Sequence, residues 1–270
     1  MVTFRSLFAS EVRRCLSRRA VRVLVGVGLL MIVATGVIAF FAVKADEVMT
    51  ASEGSIARLT DLWRGGGEGT MIPVFLMLIV GALIGGAMVT GGEWRAGTVV
   101  TVSTWEPRRV RLLGARFLAC AVLAAVIGLG LLALFVAATL PVAFAKGSTA
   151  GVDGAFVVAL AGGVARGLSI VALAAVVGAA VANLGRTSTA AIVGLFGYNA
   201  IVEPVLRGVW PRKAGWLFGE NVATWLSYER LDGPLARSPV LAGATLLVYA
   251  TALAAVVLVV FRRRDLAGAS

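Results

Sequence analysis

The residues with the clearest capacity for chemistry lie in the stretch GGEWRAGTVVTVSTWEPRRVR, residues 91–111, between two strongly apolar runs. The carboxylate of Glu93 and the guanidinium groups of Arg95, Arg108 and Arg109 can form charge-assisted hydrogen bonds with a complementary protein surface. This is the chemistry of recognition rather than of catalysis. We expect a soluble partner, if the chain has one, to dock here. The alternative is a solvated basic loop that pairs with lipid headgroups.

The composition argues against several enzyme classes. The chain contains no histidine, which is the commonest general base and metal ligand, so a metalloprotease or a histidine-based hydrolase is disfavoured. The sequence has no G-x-x-x-x-G-K-[ST] phosphate loop. Cys15 and Cys120 do not suggest an external disulfide. We expect no enzymatic activity, no metal site and no cofactor in this chain.

The elements that position these residues are predicted to be membrane helices. The mean hydropathy is +0.94 and only 14% of the residues are charged, so the chain has more apolar surface than a soluble domain buries. A helix needs roughly 20 apolar residues to cross the hydrocarbon core. The sequence predicts an all-α integral membrane protein with a single transmembrane domain over residues 1–270. Its six predicted spans are residues 21–43, 71–90, 117–143, 166–184, 188–206 and 240–261.

The charge distribution predicts the orientation of these spans. Residues 1–22, 91–116, 183–187 and 262–270 together carry 15 Lys and Arg against 4 Asp and Glu, whereas the other polar segments carry 9 against 10. By the positive-inside rule the first group is cytoplasmic. We therefore expect a multi-pass membrane protein with both termini in the cytoplasm. The net charge of +11 reports this topology and needs no nucleic acid to explain it.

The start of the fourth span is ambiguous in the sequence. A helix that begins at Ala155 would place Arg166 near the middle of the membrane, where an arginine costs about 2.5 to 3.5 kcal/mol. A helix that begins at Arg166 would place the charge at the outer interface. We favour the second placement, with residues 155–165 as a separate external or re-entrant helix.

The N-terminal segment, residues 1–20, is predicted to be an amphipathic helix. Apolar residues recur there at helical spacing, whereas arginines and serines occupy the other face. Such a helix lies flat on the inner leaflet, with its arginines near anionic headgroups. The alternative is a basic tail that only sets the topology. A further short interfacial helix is predicted around Val222, Trp225 and Leu226, which share one helical face.

Several motifs, taken in order, resemble those of one membrane-protein family. The run E-W-R-A-G-T at residues 93–98 is followed by P-R-R at residues 107–109 and then by Arg116. Glu203-Pro204 lies near the end of the fifth span, and F-R-R-R-D at residues 261–265 closes the sixth. With the flat N-terminal helix and six spans, this pattern resembles the type-2 ABC-exporter permeases. The sequence departs from it by Arg116, where many members carry lysine, and by the extra length before Arg166.

The resemblance implies a function for the charged stretch. In such exporters two permease protomers, as a homodimer or a heterodimer, form the pathway, and two copies of a soluble ATPase subunit bind ATP and Mg²⁺ beneath them. Residues 91–116 would then contain a cytoplasmic coupling helix that transmits ATPase closure to the spans. The coupling residues implied by the family pattern are Glu93, Trp94, Arg95, Gly97, Thr98, Arg108 and Arg109. Trp94 would anchor in an apolar recess of the ATPase, and Glu93 and Arg95 would bond across the interface.

The resemblance also implies a translocation path between the second and fifth spans. Phe196, Asn199 and Glu203 share one face of the predicted fifth helix, and Phe75 and Met77 lie in the second. Interhelical hydrogen bonding is the alternative for Asn199, and pairing with Arg207 is the alternative for Glu203. The family implies efflux of a hydrophobic or amphipathic, drug-like compound by alternating access. The rival interpretations are an ATP-independent channel or carrier and a non-transporting membrane scaffold.

Overall fold

The structure, a computed structural model, describes residues 3–42, 60, 71–98, 108–146, 149, 151–227 and 237–263. All regular elements within these ranges are helices. The α-helices are α1 (Phe4–Ser17), α2 (Arg19–Ala42), α3 (Met71–Arg95), α4 (Arg109–Lys146), α5 (Gly154–Gly185), α6 (Ser188–Gly197), α7 (Glu203–Val209), α8 (Phe218–Ser227) and α9 (Pro239–Arg263). A π-helical turn, Tyr198–Val202, joins α6 to α7, and a 3-10 helix, Pro211–Trp216, lies between α7 and α8.

Six helical segments are long and apolar enough to cross a membrane. They are α2, α3, α4, α5, the continuous unit from α6 to α7, and α9, and they match the six predicted spans. The helices extend beyond most of the predicted bounds. The third span, predicted at 117–143, belongs to a helix of 38 residues, about 57 Å long at 1.5 Å per residue. The charged residues at the helix ends therefore belong to the same continuous helices as the apolar runs.

The fourth span begins earlier than the sequence predicts. The helix α5 is continuous from Gly154 to Gly185, so the separate helix predicted for residues 155–165 is wrong. The start is fixed by Asp153, whose Oδ1 accepts a hydrogen bond from the Phe156 N–H at 2.7 Å. Arg166 lies inside the helix, about 18 Å from its start. Because α5 is about 48 Å long and the hydrocarbon core is about 30 Å thick, the helix can extend beyond the core and keep Arg166 at its boundary.

The central contact of the fold is between α3 and α5. A Cβ at Gly86 would overlap the Ala175 carbonyl oxygen, and a Cβ at Gly178 would overlap that of Leu83. The two backbones approach this closely only because both positions are glycine. This close contact lies at the centre of the bundle, because α5 is the most buried of the six candidate spans.

Side chains from several helices fill two apolar clusters around α5. One cluster contains residues of α2, α3, α4, α5, α8 and α9, including Phe75, Phe135 and Leu246. Val222 and Leu226 of α8 belong to it, and Trp225 packs against it. This confirms the predicted short helix with these three residues on one face. The second cluster contains Cys15, Phe117 and Phe261, among others.

The N-terminal helix packs against α4 within the protein. Leu7, Glu11 and Cys15, spaced four residues apart, are its buried residues, and Leu7 contacts Leu112 and Ala115. The helix runs from Phe4 to Ser17 rather than over residues 1–20. Phe4 and Leu16 remain exposed. Its location at the membrane surface stays a prediction.

Candidate functional site

The best-defined polar site lies where α3 ends. Glu93 is in the last turn of α3 and is only 1% exposed. Its Oε1 accepts a hydrogen bond from Nη2 of Arg18 at 2.9 Å, and its Oε2 lies 2.6 Å from Nη2 of Arg116. Gly92 leaves room for this arrangement, since a Cβ there would lie 2.6 Å from Nη1 of Arg18.

A second buried carboxylate completes the site. Glu11 of α1 is 1% exposed, and its Oε2 accepts a hydrogen bond from Nε of Arg116 at 3.2 Å. Arg14 donates to Oε1 of the same carboxylate at 3.0 Å. Arg116, itself 2% exposed, is therefore held between two carboxylates. We call Glu11, Arg18, Glu93 and Arg116 the ion cluster.

The ion cluster joins three helices and the α1–α2 junction. Glu11 lies on α1, Arg18 follows α1, Glu93 ends α3, and Arg116 lies two turns into α4. Its two carboxylates and two guanidinium groups balance in charge. Removal of one partner from a buried ion pair costs about 3 to 5 kcal/mol, because the other charge is left without compensation. The cluster therefore couples the positions of these helix ends.

This geometry corrects the role expected for Glu93. A carboxylate that is buried and held by two arginines of its own chain is not a surface contact for a soluble partner. The sequence pattern placed Glu93 in a loop, whereas α3 continues to Arg95 and carries Glu93 inward. Glu93 holds the end of α3 against Arg18 and Arg116.

Trp94 is also engaged within the chain. Its ring packs edge-on against Phe261 with centroids 6.5 Å apart, and the Arg186 guanidinium lies 5.4 Å above it. The expected anchoring in a recess of another protein does not fit this half-buried position. Arg95 is exposed and donates to Oγ of Ser188 at 3.1 Å.

The remaining predicted coupling residues flank a segment outside the described residues. Gly97 has φ +65° and forms the turn after α3, with Thr98 exposed beside it. On the other side, Arg109 donates through Nη1 to the carbonyl oxygens of Phe261 and Arg262 at 3.2 and 3.4 Å. Arg108, Arg109, Val110 and Arg262 border an open depression on the surface. The predicted coupling helix would fall largely in residues 99–107, which are not among the described residues.

The predicted pathway residues do not share one environment. Phe75 is fully buried, and its ring occupies the space that a Cβ of Gly167 would need. This position identifies Phe75 as a core residue rather than a wall residue. Met77 is 54% exposed, and Phe196 and Asn199 are exposed as well. Asn199 donates to the Leu195 carbonyl oxygen of its own helix at 3.3 Å.

Glu203 points inward rather than sharing the face of Phe196 and Asn199. The π-helical turn adds a residue before Pro204, where the Glu203 N–H bonds to the Tyr198 carbonyl oxygen, and thereby changes the helical register. The Glu203 Oε1 accepts from the N–H groups of Gly219 and Glu220 at 2.7 and 3.3 Å, in the first turn of α8.

The alternative pairing of Glu203 with Arg207 is therefore wrong. Arg207 pairs instead with Glu220, with Nη2 and Oε1 2.6 Å apart. Glu203 acts as a negative charge at the start of α8, where the helix dipole favours it. This contact holds the end of the fifth span against the short helix α8.

Sequence reasoning missed Glu11 and Arg18 as partners of Glu93. A usable signal for Glu11 existed: it is the one acidic residue among residues 1–22, and it falls between Leu7 and Cys15 at the spacing of the apolar face. Arg18 carried no comparable signal, because six arginines lie in the same segment.

Comparison with protein-family models and with curated protein sequences finds no match for this chain. Among the described residues, no group of three or more His, Cys, Asp or Glu side chains could hold a metal ion.

Proposed function

We propose that this chain is the permease subunit of an ABC-type exporter that moves a hydrophobic or amphipathic compound outward. Two protomers form the pathway, and two copies of a soluble ATPase subunit bind and hydrolyse ATP with Mg²⁺. The membrane is the bacterial cytoplasmic membrane, both termini are inside, and nucleic acid has no part in the function.

The observation that carries this proposal is the position of Glu93. The segment of residues 96–107 starts directly after a helix end that the ion cluster ties to α1 and α4. A soluble partner that pushes on this segment moves the end of α3, which carries Glu93. The motion passes to α4 through the pair of Glu93 with Arg116 and through Arg109, the first residue of α4. Alternating access requires such a rigid link between the partner and the spans.

The exposed residues around the segment supply the partner surface. Arg95, Arg108 and Thr98 are exposed, and the positive charges of the two arginines suit an acidic patch on the ATPase. These exposed residues therefore recognise the ATPase, whereas Glu93 and Trp94 hold the end of α3 within the protein.

Reconstitution tests the proposal directly. The full chain is purified from its native membrane with any bound soluble protein and is placed in lipid vesicles. We expect the partner to carry a phosphate-binding loop, to hydrolyse ATP faster in the presence of an amphipathic cargo, and to drive its ATP-dependent accumulation.

Two outcomes contradict the proposal and favour its rivals. Uphill flux by the chain alone, independent of ATP, identifies a channel or a carrier. A partner that binds equally well with and without nucleotide, and whose binding moves no cargo, identifies a scaffold. An Arg108→Glu variant should weaken partner binding, and Arg13→Glu, an exposed change on α1, is its matched control.

A further inference from the structure

Two cysteines from different helices meet beside the ion cluster. Cys15 lies four residues after Glu11 on α1, and Cys120 lies four residues after Arg116 on α4. Their exposed fractions are 3% and 5%, and both are free thiols. The two side chains belong to the same buried apolar cluster, with Leu113 and Phe117 beside them. The contacts one turn earlier on each helix, between Glu11 and Arg116, place the two cysteines on the facing surfaces of α1 and α4.

The surroundings favour ionisation of Cys15. The pKa of the Cys15 thiol is lowered from its ordinary value, chiefly because the Cys120 side chain donates a hydrogen bond to it. The positive charges of Arg116 and Arg18 act in the same direction, whereas burial and the Glu11 carboxylate oppose them. The thiolate is the reactive form of cysteine. Cys15 lies three residues before Arg18 at the end of α1, so we take it as the nucleophile of the pair.

We propose that Cys15 and Cys120 form a reversible intramolecular disulfide that ties α1 to α4 under peroxide stress. The Cys15 thiolate attacks one oxygen of hydrogen peroxide, which breaks the O–O bond and gives Cys15 sulfenic acid and hydroxide. The hydroxide takes up a proton and becomes water. The Cys120 sulfur then attacks the Cys15 sulfur, the S–O bond breaks, and a second water leaves with the Cys120 proton. Two thiols are oxidised and one peroxide is reduced to two waters.

The packing favours this product over the alternatives. Burial on both helices keeps large thiol reagents and second protein molecules away, whereas peroxide is as small as two water molecules. The resolving thiol lies in the same buried cluster as the nucleophile, so closure within the chain competes well with further oxidation. The new bond would hold α1 on α4 independently of the ion pairs between Glu11 and Arg116.

The test exposes the purified full chain in lipid vesicles to hydrogen peroxide and maps its peptides by mass spectrometry. We expect most chains to gain a link between the peptides that contain Cys15 and Cys120, with the loss of two hydrogen atoms, and dithiothreitol to reverse it. In a Cys120→Ser variant, Cys15 should instead remain as sulfenic acid, which dimedone traps when it is present as the oxidised chain is unfolded. In a Cys15→Ser variant, Cys120 should remain a thiol.

Three results would overturn the proposal. They are unreacted thiols in the folded wild-type chain, stable overoxidation of Cys15 without the cross-link, and a disulfide between two chains in place of the internal one. Each serine variant is first compared with the wild type by its thermal unfolding midpoint. Should either variant fail to fold, the wild-type cross-link and its reversal decide alone.

Discussion

At the residue scale, Arg116 is the side chain that bridges two buried carboxylates. A planar guanidinium can present Nε to one carboxylate and Nη2 to another, as Arg116 does with Glu11 and Glu93. A lysine ammonium at the same place is a point charge without this fixed fork. The choice of arginine here thus follows from the need to bridge two separate helices.

Loss of this bridge should be costly. An Arg116→Met variant leaves two buried carboxylates without their shared cation, and we expect it to lower the free energy of unfolding by about 3 to 5 kcal/mol. Arg116→Lys should lose less. Thermal unfolding in detergent measures the order, with Arg13→Met on the exposed face of α1 as the control. Equal midpoints for Arg116→Met and Arg13→Met would show that the ion cluster adds no stability.

The thiol contact makes a prediction about pH. In a Cys120→Ala variant the hydrogen bond that stabilises the Cys15 thiolate is gone, so the pKa of Cys15 should rise toward its ordinary value. The pH at which hydrogen peroxide oxidises Cys15 at half its maximal rate should therefore move upward. A Cys120→Ser variant keeps a donor and should move less. An unchanged or lower midpoint in the alanine variant contradicts the assigned cause.

At the scale of elements, the glycines of α3 and α5 decide how the bundle packs. Gly86 meets the backbone at Ala175, and Gly178 meets the backbone at Leu83. Backbone atoms cannot rotate away as a side chain can, so the helices themselves must separate to admit a methyl group.

Alanine substitutions test this contact. Gly86→Ala and Gly178→Ala should each destabilise the protein by about 1 to 3 kcal/mol, because each overpacks a tight interface. Gly81→Ala is the matched control, since nothing lies within 4 Å of a Cβ at that position of the same helix. It should be neutral or slightly stabilising. If all three variants unfold at the same temperature, the close approach of α3 and α5 is not a determinant of stability.

The success of sequence reasoning at this scale has a physical basis. Each span is an apolar run of sufficient length, so hydropathy alone indicates six helices. It does not indicate where they end, because a helix can leave the hydrocarbon and continue as far as its caps and partners allow. The short polar cap Asp153 started α5 twelve residues before the predicted Arg166, and an added π-helical residue turned Glu203 inward.

The interior ion cluster was harder to predict for a related reason. Glu93 and Arg116 belong to a recognisable sequence motif. A pattern of charges, however, does not show whether the side chains are exposed on the surface or paired with each other inside the protein. That distinction depends on where α1 packs, which is a tertiary property. Only the position of Glu11 on the apolar face of α1 hinted at it.

At the scale of the whole molecule, the separation of recognition from positioning has a functional consequence. If exposed residues near Arg108 contact the ATPase and Glu93 transmits the motion, the two roles can be separated by mutation. This rests on the proposed exporter function.

A Glu93→Gln variant should keep the partner but lose coupling. The substitution removes the charge that holds Arg18 and Arg116, which weakens bonds of about 1.5 to 3 kcal/mol each. We expect the ATPase to co-purify as before, while cargo-stimulated ATP hydrolysis falls about tenfold or more. Arg108→Glu should show the opposite pattern, with less ATPase bound. Full coupling in Glu93→Gln would remove Glu93 from the transmission path.

The glycine contact between α3 and α5 also bears on how the protein is made. Since α3 ends at Arg95 and α5 begins at Gly154, roughly 60 residues of synthesis separate them, or several seconds at a ribosomal rate of about 5 to 20 residues per second. During that interval the face of α3 that carries Gly86 lacks its partner on α5. The contact between α3 and α5 therefore forms only after α5 has been synthesised and inserted. Until then α3 must keep the face that carries Gly86 available for α5.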